Sequence, residues 1–341
     1  MDEIAVVVVS WNDAADLYEA VSSLGAAKSA IPPGGPRVAL TVVVNGGTAV
    51  RREEVLSRFP GATVLFNERN LGFGPAANQA AALATAPVLL FVNPDTRAEG
   101  DPFTALARGF HTHPEAVALA PRLLDPEGGG AVRGAGLAPP GREDQFTFQL
   151  RGLPTLASDA RELLLIDHLF PNNPARRRFR YGDRDRETPF EVEQAAAAAL
   201  AVRTEAFRRV GGFAEELVPA WFEDVDLCAR LAPLGTILYW PAARLRHRGG
   251  LSSERLGYSR FLPIYYRNAL RYRRRHYSLA ARAIYRGLLV LGMLLRLAVL
   301  PLRRADPRPK GESAGAYLRV LRVALGFPAV ERRLPAAGSS S

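Results

Sequence analysis

The stretch Leu89-Leu90-Phe91-Val92-Asn93-Pro94-Asp95-Thr96 constrains this chain more than any other. An apolar run of that length, closed by turn chemistry, reads as a buried strand that delivers a carboxylate to the carboxyl edge of a sheet. Pro94 has no N–H for a ladder, so the strand must stop before it and Asp95 falls on the loop beyond. Open α/β sheets bind their ligands along that edge. An aspartate there can hold Mg2+ or Mn2+ against a phosphate, because those ions favour oxygen donors. By turn chemistry alone, Asp95 or Thr96 could equally cap a helix.

The pattern around this stretch predicts an α/β fold. Residues 4–9, Ile-Ala-Val-Val-Val-Val, lack alternation, as a central parallel strand covered on both faces does. Ser10-Trp11-Asn12-Asp13 then forms a loop before a helix through Leu17, Val21 and Leu24. A second strand, Val38 to Val44, ends in Asn45-Gly46-Gly47-Thr48, where glycine lets backbone approach a ligand. A helix near Arg51 to Phe59 and a strand from Thr63 to Phe66 follow, then Asn70 to Asn78 and an alanine-rich helix ending before Pro87. This alternation predicts a doubly wound, mostly parallel sheet with helices on both faces. Right-handed crossovers would bring the ends of strands 4–9, 38–44 and 88–92 to one edge. Residues 126–190, rich in glycine, proline and arginine, read as an irregular cover over that edge, with one amphipathic piece from Leu156 to Phe170. The alanine-rich run 192–202 fits strand or helix, and a strand at Thr236 to Trp240 precedes His247-Arg248-Gly249-Gly250-Leu251-Ser252-Ser253.

A formal charge of +10 over 341 residues calls for an anionic partner: nucleic acid, an anionic membrane surface or a phosphorylated substrate. The charge gathers late, in Arg176 to Arg178 and between Arg267 and Arg275, with no nucleic-acid-binding motif around it, so nucleic acid is not expected. A lone cysteine, Cys228, excludes an intramolecular disulfide framework and fits a reducing compartment. The start, two acids before an apolar strand, lacks the basic region of a secretory signal, so a cytoplasmic location is expected. From Ile284 to Leu302 the chain is apolar but interrupted by Arg286 and Arg296. A mid-helix arginine costs roughly 2.5 kcal/mol or more on insertion scales, which disfavours a span. The expected state is an interfacial helix with both arginines turned to water, the alternative a helix packed on the domain.

Asp95, the pair Glu223-Asp224 and His247 each have an ordinary reading alone: a cap, first-turn acids, a basic loop. Together with Val6 to Asn12, Asn70-Leu71-Gly72-Phe73-Gly74 to Asn78, Asn93-Pro94-Asp95-Thr96, Gly211-Gly212-Phe213, Phe222-Glu223-Asp224-Val225-Asp226-Leu227 and His247 to Ser253, they form an ordered set. On that set, over roughly residues 4 to 277, the chain resembles the inverting family 2 glycosyltransferases of the GT-A fold, in particular the rhamnosyltransferase-like members.

The resemblance implies a GT-A-type, Rossmann-like, mostly parallel central sheet with helices on both faces and a C-terminal helical extension. It divides the chain into a transferase domain, 1–260 (a nucleotide-sugar half 1–125, the irregular segment 126–190 and an acceptor and catalytic half 191–260). A basic helical extension, 261–334, and a disordered tail, 335–341, complete it. It implies metal-dependent inverting transfer of a sugar, with rhamnose suggested, from a dTDP- or UDP-sugar. The acceptor would be a saccharide or polyprenyl-linked saccharide of the cell envelope, met at the inner face of the plasma membrane. In that scheme Asp95 and His247 hold Mn2+ or Mg2+, Asp224 is the general base and Glu223 its support. Ser10, Trp11, Asn12, Asn45, Asn70, Gly72, Asn78 and Asn93 serve the donor. Two departures stand out: Val44-Asn45 where the family usually has a base-reading aspartate, and Gln194 followed by Ala195 to Ala199 where relatives carry Trp and Ser-Gly-Ala. They motivate a second reading, a weakened member that binds a nucleotide sugar or a partner enzyme without turnover.

Overall fold

The computed structural model describes residues 2–125, 145–249, 256–303 and 308–327. Gly250 to Ser253, residues 126–144 of the expected cover and the tail 335–341 lie outside them. The strands are β1 (Glu3–Ser10), β2 (Arg37–Asn45), β3 (Thr63–Asn67), β4 (Val88–Val92), β5 (Thr96–Glu99), β6 (Ala116–Leu124), β7 (Leu150–Arg151), β8 (Phe190–Glu191), β9 (Gln194–Ala195), β10 (Ala199–Arg203) and β11 (Thr236–His247). One mixed sheet runs β3-β2-β1-β4-β10-β6-β11-β5, with β8 added to β11, while β7 pairs with β9.

The unalternated run in β1 follows from its place. It lies between β2 and β4, parallel to both. Ile4, Val6 and Val8 enter the core on one face of the sheet; Ala5, Val7 and Val9 enter the core on the other. The half of the sheet from β3 to β4 is parallel, as alternating strands and helices predict. The other half is mixed: β10 runs antiparallel to β4 and β6, and β5 antiparallel to β11. Asp95 is therefore not a helix cap, since Thr96 opens β5 at once. β11 is longer than its apolar core predicted; its register shifts between Trp240 and Arg244, and its last four residues pair with β5. That bend carries His247 to Thr96.

The alanine run is not helical: it forms β9 and the start of β10, joined by a turn at Ala197-Ala198. Ala196, Ala198, Ala199 and Ala201 pack into one core, Ala195 and Ala197 into the other, so small side chains suit a segment pressed between two layers. From Gln145 onward, the stretch expected to be irregular holds helices Gln145–Gln149, Leu156–Leu163, Ile166–Leu169 and Pro174–Phe179. Distant partners order it: the Asp159 carboxylate pairs with Arg273, and Leu163 packs against Gly292. Local composition could not announce either contact.

Helices Tyr258–His276, Leu279–Val299 and Lys310–Ala324 form a third core with Leu217 and Phe222, built on Phe261, Tyr266, Tyr272, Tyr285, Met293 and Tyr317. Of the two arginines expected to face water, Arg286 is exposed and Arg296 is buried instead. Arg296 donates to the carbonyls of Glu162 and Leu163, and Arg286 to that of Ala324. All three carbonyls belong to helix C-terminal turns, which lack intrahelical donors and attract positive charge. The far side of helix Leu279–Val299 remains apolar and exposed at Ile284, Leu291 and Leu294.

Candidate active site

Strand directions bring the carboxyl ends of β1, β2, β4, β6 and β11, and the amino ends of β10 and β5, to one edge of the sheet. There His247 Nε2 stands 3.3 Å from Asp95 Oδ1, and both side chains are buried. Burial opposes the Asp95 charge, but the His247 ring and the Gly249 N–H outweigh it and hold the carboxyl below its ordinary range. Gln145 fixes the imidazole from behind. Its Nε2 donates to the His247 carbonyl at 2.7 Å, which leaves Oε1 facing Nδ1 at 2.9 Å. Nδ1–H is thus the donor, so Nε2 is the ring atom that meets the carboxylate: its N–H pairs with Asp95, and its lone pair serves a cation once that proton is displaced. Phe148 stacks on the ring at 5.6 Å. A nitrogen and an oxygen donor aimed at each other suit a divalent cation placed between them. Among the described residues no group of three or more His, Cys, Asp or Glu is arranged to hold a metal. The pair would supply two ligands, leaving the remainder to water and a diphosphate.

The carboxylate pair reaches the same edge from the first turn of helix Glu223–Leu231. Trp221 and Phe222 enter that helix with φ +74° and +73°, left-handed conformations that cost bulky residues on the order of 1–3 kcal/mol each. The alanine run connects the two centres. The Ala198 carbonyl accepts from Asn93 N at 3.0 Å and from Thr96 Oγ1 at 3.3 Å, while the neighbouring Ala197 N–H points to Asp224 Oδ2 at 3.4 Å. Asp224 therefore faces the Asp95 loop across two residues of backbone. Glu223 is buried and Asp224 half-buried. Burial pushes Asp224 upward, and two N–H donors with the Arg151 charge pull it partly back. Glu223 rises further, from burial and the charge of Asp224 beside it. Glu223 is thus the carboxyl pushed further toward its neutral form, and Asp224 the one with more groups to hold its charge.

The donor-side residues fall into two groups. Buried Ser10 ends β1, half-buried Trp11 and exposed Asn12 (φ 52°) follow it, and half-buried Asn93 follows β4, all at the same sheet edge. Asn45, Asn70, Gly72 and Asn78 instead bind one another and neighbouring loops. Asn45 Nδ2 donates to Asn70 Oδ1 and to the Gly72 carbonyl, each at 3.0 Å, while its Oδ1 accepts from Asn67 and Leu71. Asn78 grips Phe213 through both its N–H and its carbonyl at 2.9 Å. Val44 lies in the core. Gln145, Phe148 and the Ala197 N–H escaped sequence reasoning, because nothing local marks a glutamine or an alanine amide as a neighbour of a distant imidazole or carboxylate. Arg248 could have been found from its place after His247; its guanidinium lies 3.5 Å from Asp16 beside the cleft.

Residues 5–161 match the family model Glycosyl transferase family 2. The chain is 28% identical, over 268 residues, to the N-acetylglucosaminyl-diphospho-decaprenol L-rhamnosyltransferase of two Mycobacterium tuberculosis strains, covering 74% of this chain and 78% of the relative. In fold it is similar to a mannosyltransferase from Pyrobaculum calidifontis solved with GDP-Man and Mn2+ (TM-score 0.52, 12% identity, 94% of this chain and 86% of that one). It is also similar to GalNAc-T7 solved with UDP, GalNAc and Mn2+ (TM-score 0.52, 18% identity, 79% of this chain), of which it spans only 47%. The chain is a glycosyltransferase, with a family 2 domain on the GT-A fold.

Proposed function

We propose that this chain moves a sugar, with inversion, from a nucleoside-diphosphate donor to a hydroxyl of a lipid-linked saccharide used in cell-envelope polysaccharide. The observation that carries the reading is the alanine bridge: its Ala197 N–H points to Asp224 while the Ala198 carbonyl accepts from the Asp95 loop, which supports one cleft for Asp224 and the Asp95–His247 pair. Asp95 and His247 would hold a divalent cation, Mn2+ or Mg2+, which when bound offsets charge on the leaving diphosphate. Asp224 accepts the proton of the attacking hydroxyl, and protonated Glu223 keeps a second negative charge away from it. The hydroxyl approaches the anomeric carbon from the side opposite the diphosphate, so configuration inverts. Because the Asn45 amide is committed to Asn67, Asn70, Leu71 and Gly72, base contacts fall to the Trp11 ring and loop backbone. Rhamnose as the sugar and a polyprenyl-diphosphate-linked N-acetylglucosamine as acceptor are proposed from the mycobacterial relative's name, and dTDP as the carrier from the family resemblance.

The acceptor's lipid puts the work at a membrane surface, at its cytoplasmic face in our proposal. The exposed apolar side of Leu279–Val299, continued by Leu302 and by Leu169 and Phe170 near the arginines of Pro174–Phe179, is the face we assign to that surface. A thermal-shift screen of nucleotide sugars with Mn2+, followed by transfer to N-acetylglucosaminyl-diphospho-polyprenol, tests the assignment. Stabilisation by dTDP-rhamnose and rhamnosylated product are the expected results. Donor binding without turnover in the presence of acceptor would favour the non-catalytic reading that Val44 motivates.

A further inference from the structure

The loop before the carboxylate pair is held from outside the transferase half. Its carbonyls at Val218, Ala220 and Trp221 turn toward helix Tyr258–His276, where Asn268, fully buried, offers Nδ2 at 3.3, 2.8 and 3.2 Å. Two amide hydrogens shared among three carbonyls make this side chain the hub of the contact. Arg271 donates to Asn268 Oδ1 at 3.3 Å, which fixes the amide with Nδ2 toward the loop, and to the Glu216 carbonyl at 2.6 Å. Arg267 takes the Val218 carbonyl at 2.6 Å. On the other side, the Pro219 carbonyl accepts from Phe73 N at 2.7 Å, so the loop is clamped between the donor-side turn and the C-terminal helix. The left-handed pair Trp221-Phe222 follows immediately, its rings packed on Phe261 and on Tyr265 and Tyr272. One turn beyond, Asp226 is bound by Arg230, Arg275 and His276.

We infer that Asn268 is a positioning residue for the Glu223–Asp224 pair, acting through the backbone of residues 218–221. It touches no reacting group. It holds the loop in the left-handed entry that aims the first turn of helix Glu223–Leu231 at the Ala197 N–H. This rests on the reading of Asp224 as the base, and the C-terminal helices become part of the active site rather than an appendage.

The test uses the full chain, dTDP-rhamnose and N-acetylglucosaminyl-diphospho-polyprenol, with dTDP and Mn2+ binding followed by calorimetry. Asn268→Ala should bind dTDP and Mn2+ and show a donor KM within about twofold of wild type, while kcat falls about 10- to 100-fold, the scale of a small misplacement. On an Asp224→Asn background the same change should cost less than about threefold more, because its effect runs through that carboxylate. Wild-type kcat in folded Asn268→Ala, or the full loss repeated on the Asp224→Asn background, overturns the inference. Should Asn268→Ala fail to fold, Arg271→Gln decides: a lower kcat at unchanged donor KM supports it, and wild-type kcat removes it. An Asp224→Asn enzyme as fast as wild type would sink the reading of the base itself, whatever Asn268 does.

Discussion

At the scale of single residues, the site divides labour by environment. Asp95 is kept ionised by His247 and the Gly249 N–H, whereas burial raises Glu223 and Asp224. Asp224→Asn should leave nucleoside-diphosphate binding intact and slow transfer about 10²–10⁴-fold, the usual worth of a positioned base; single-turnover kinetics will measure it. Asp95→Ala should abolish the Mn2+ dependence of dTDP binding in calorimetry, since one of the two proposed protein ligands is gone. The raised carboxyls also set a sign for pH. A group whose folded pKa lies above its unfolded value makes folding less favourable as pH climbs from the ordinary carboxylate range, near 4.3, toward the raised value. Glu223→Gln removes that dependence, so its melting temperature should gain on wild type as pH rises from about 5 to 8. An unchanged gap across that range would contradict the raised Glu223. Asp224 and Asp95 were legible in the sequence because turn and motif chemistry marks them. Gln145 and the Ala197 N–H were not, since their significance comes from a partner about 100 residues away in one case and 27 in the other.

At the scale of elements, loops are joined by backbone close approach and two helices by a buried ion pair. A Cβ on Gly72, at φ +96°, would stand 2.6 Å from Val218 Cγ1 and 3.1 Å from the Pro219 carbonyl. Gly72→Ala should therefore destabilise by about 1–3 kcal/mol and weaken nucleotide binding, measured by chemical denaturation and calorimetry. Arg273 sits over the Tyr285 ring at 3.7 Å while paired to Asp159, joining helix Tyr258–His276 to helix Leu156–Leu163. Arg273→Ala strands a buried carboxylate and should cost about 3–5 kcal/mol. The β-branched runs of β1 and β2 were readable because burial on both faces leaves a continuous apolar signature. The bend of β11 and the order within Leu156–Leu163 were not, because they depend on pairing with β5 and on packing against helix Leu279–Val299.

At the scale of the molecule, the basic charge and the exposed leucines belong to one argument about where the enzyme works. The most apolar 18-residue window of Leu279–Leu302 has a mean hydropathy of 1.9, yet only a third of it is buried. With Arg296 turned onto a helix end, the outward face carries one arginine fewer than the sequence suggested, while Arg286 stays exposed. Leu291→Glu combined with Leu294→Glu should abolish flotation with anionic vesicles while leaving the melting temperature and dTDP binding unchanged. Flotation equal to wild type would remove this face from the membrane, and a loss of self-association in sedimentation would assign it to a second copy instead.

The sequence by itself determined the parallel half of the sheet, the edge where ligands meet it and the carboxylates that reach that edge, because strand burial and turn chemistry act over a few residues. Only the tertiary structure decided that Asp95 meets His247, that the alanine run joins them to Asp224 and that Arg296 faces inward while Arg286 stays at the surface. Those outcomes are set by which distant groups find an unsatisfied partner once the chain has closed, and a linear pattern does not encode that distance.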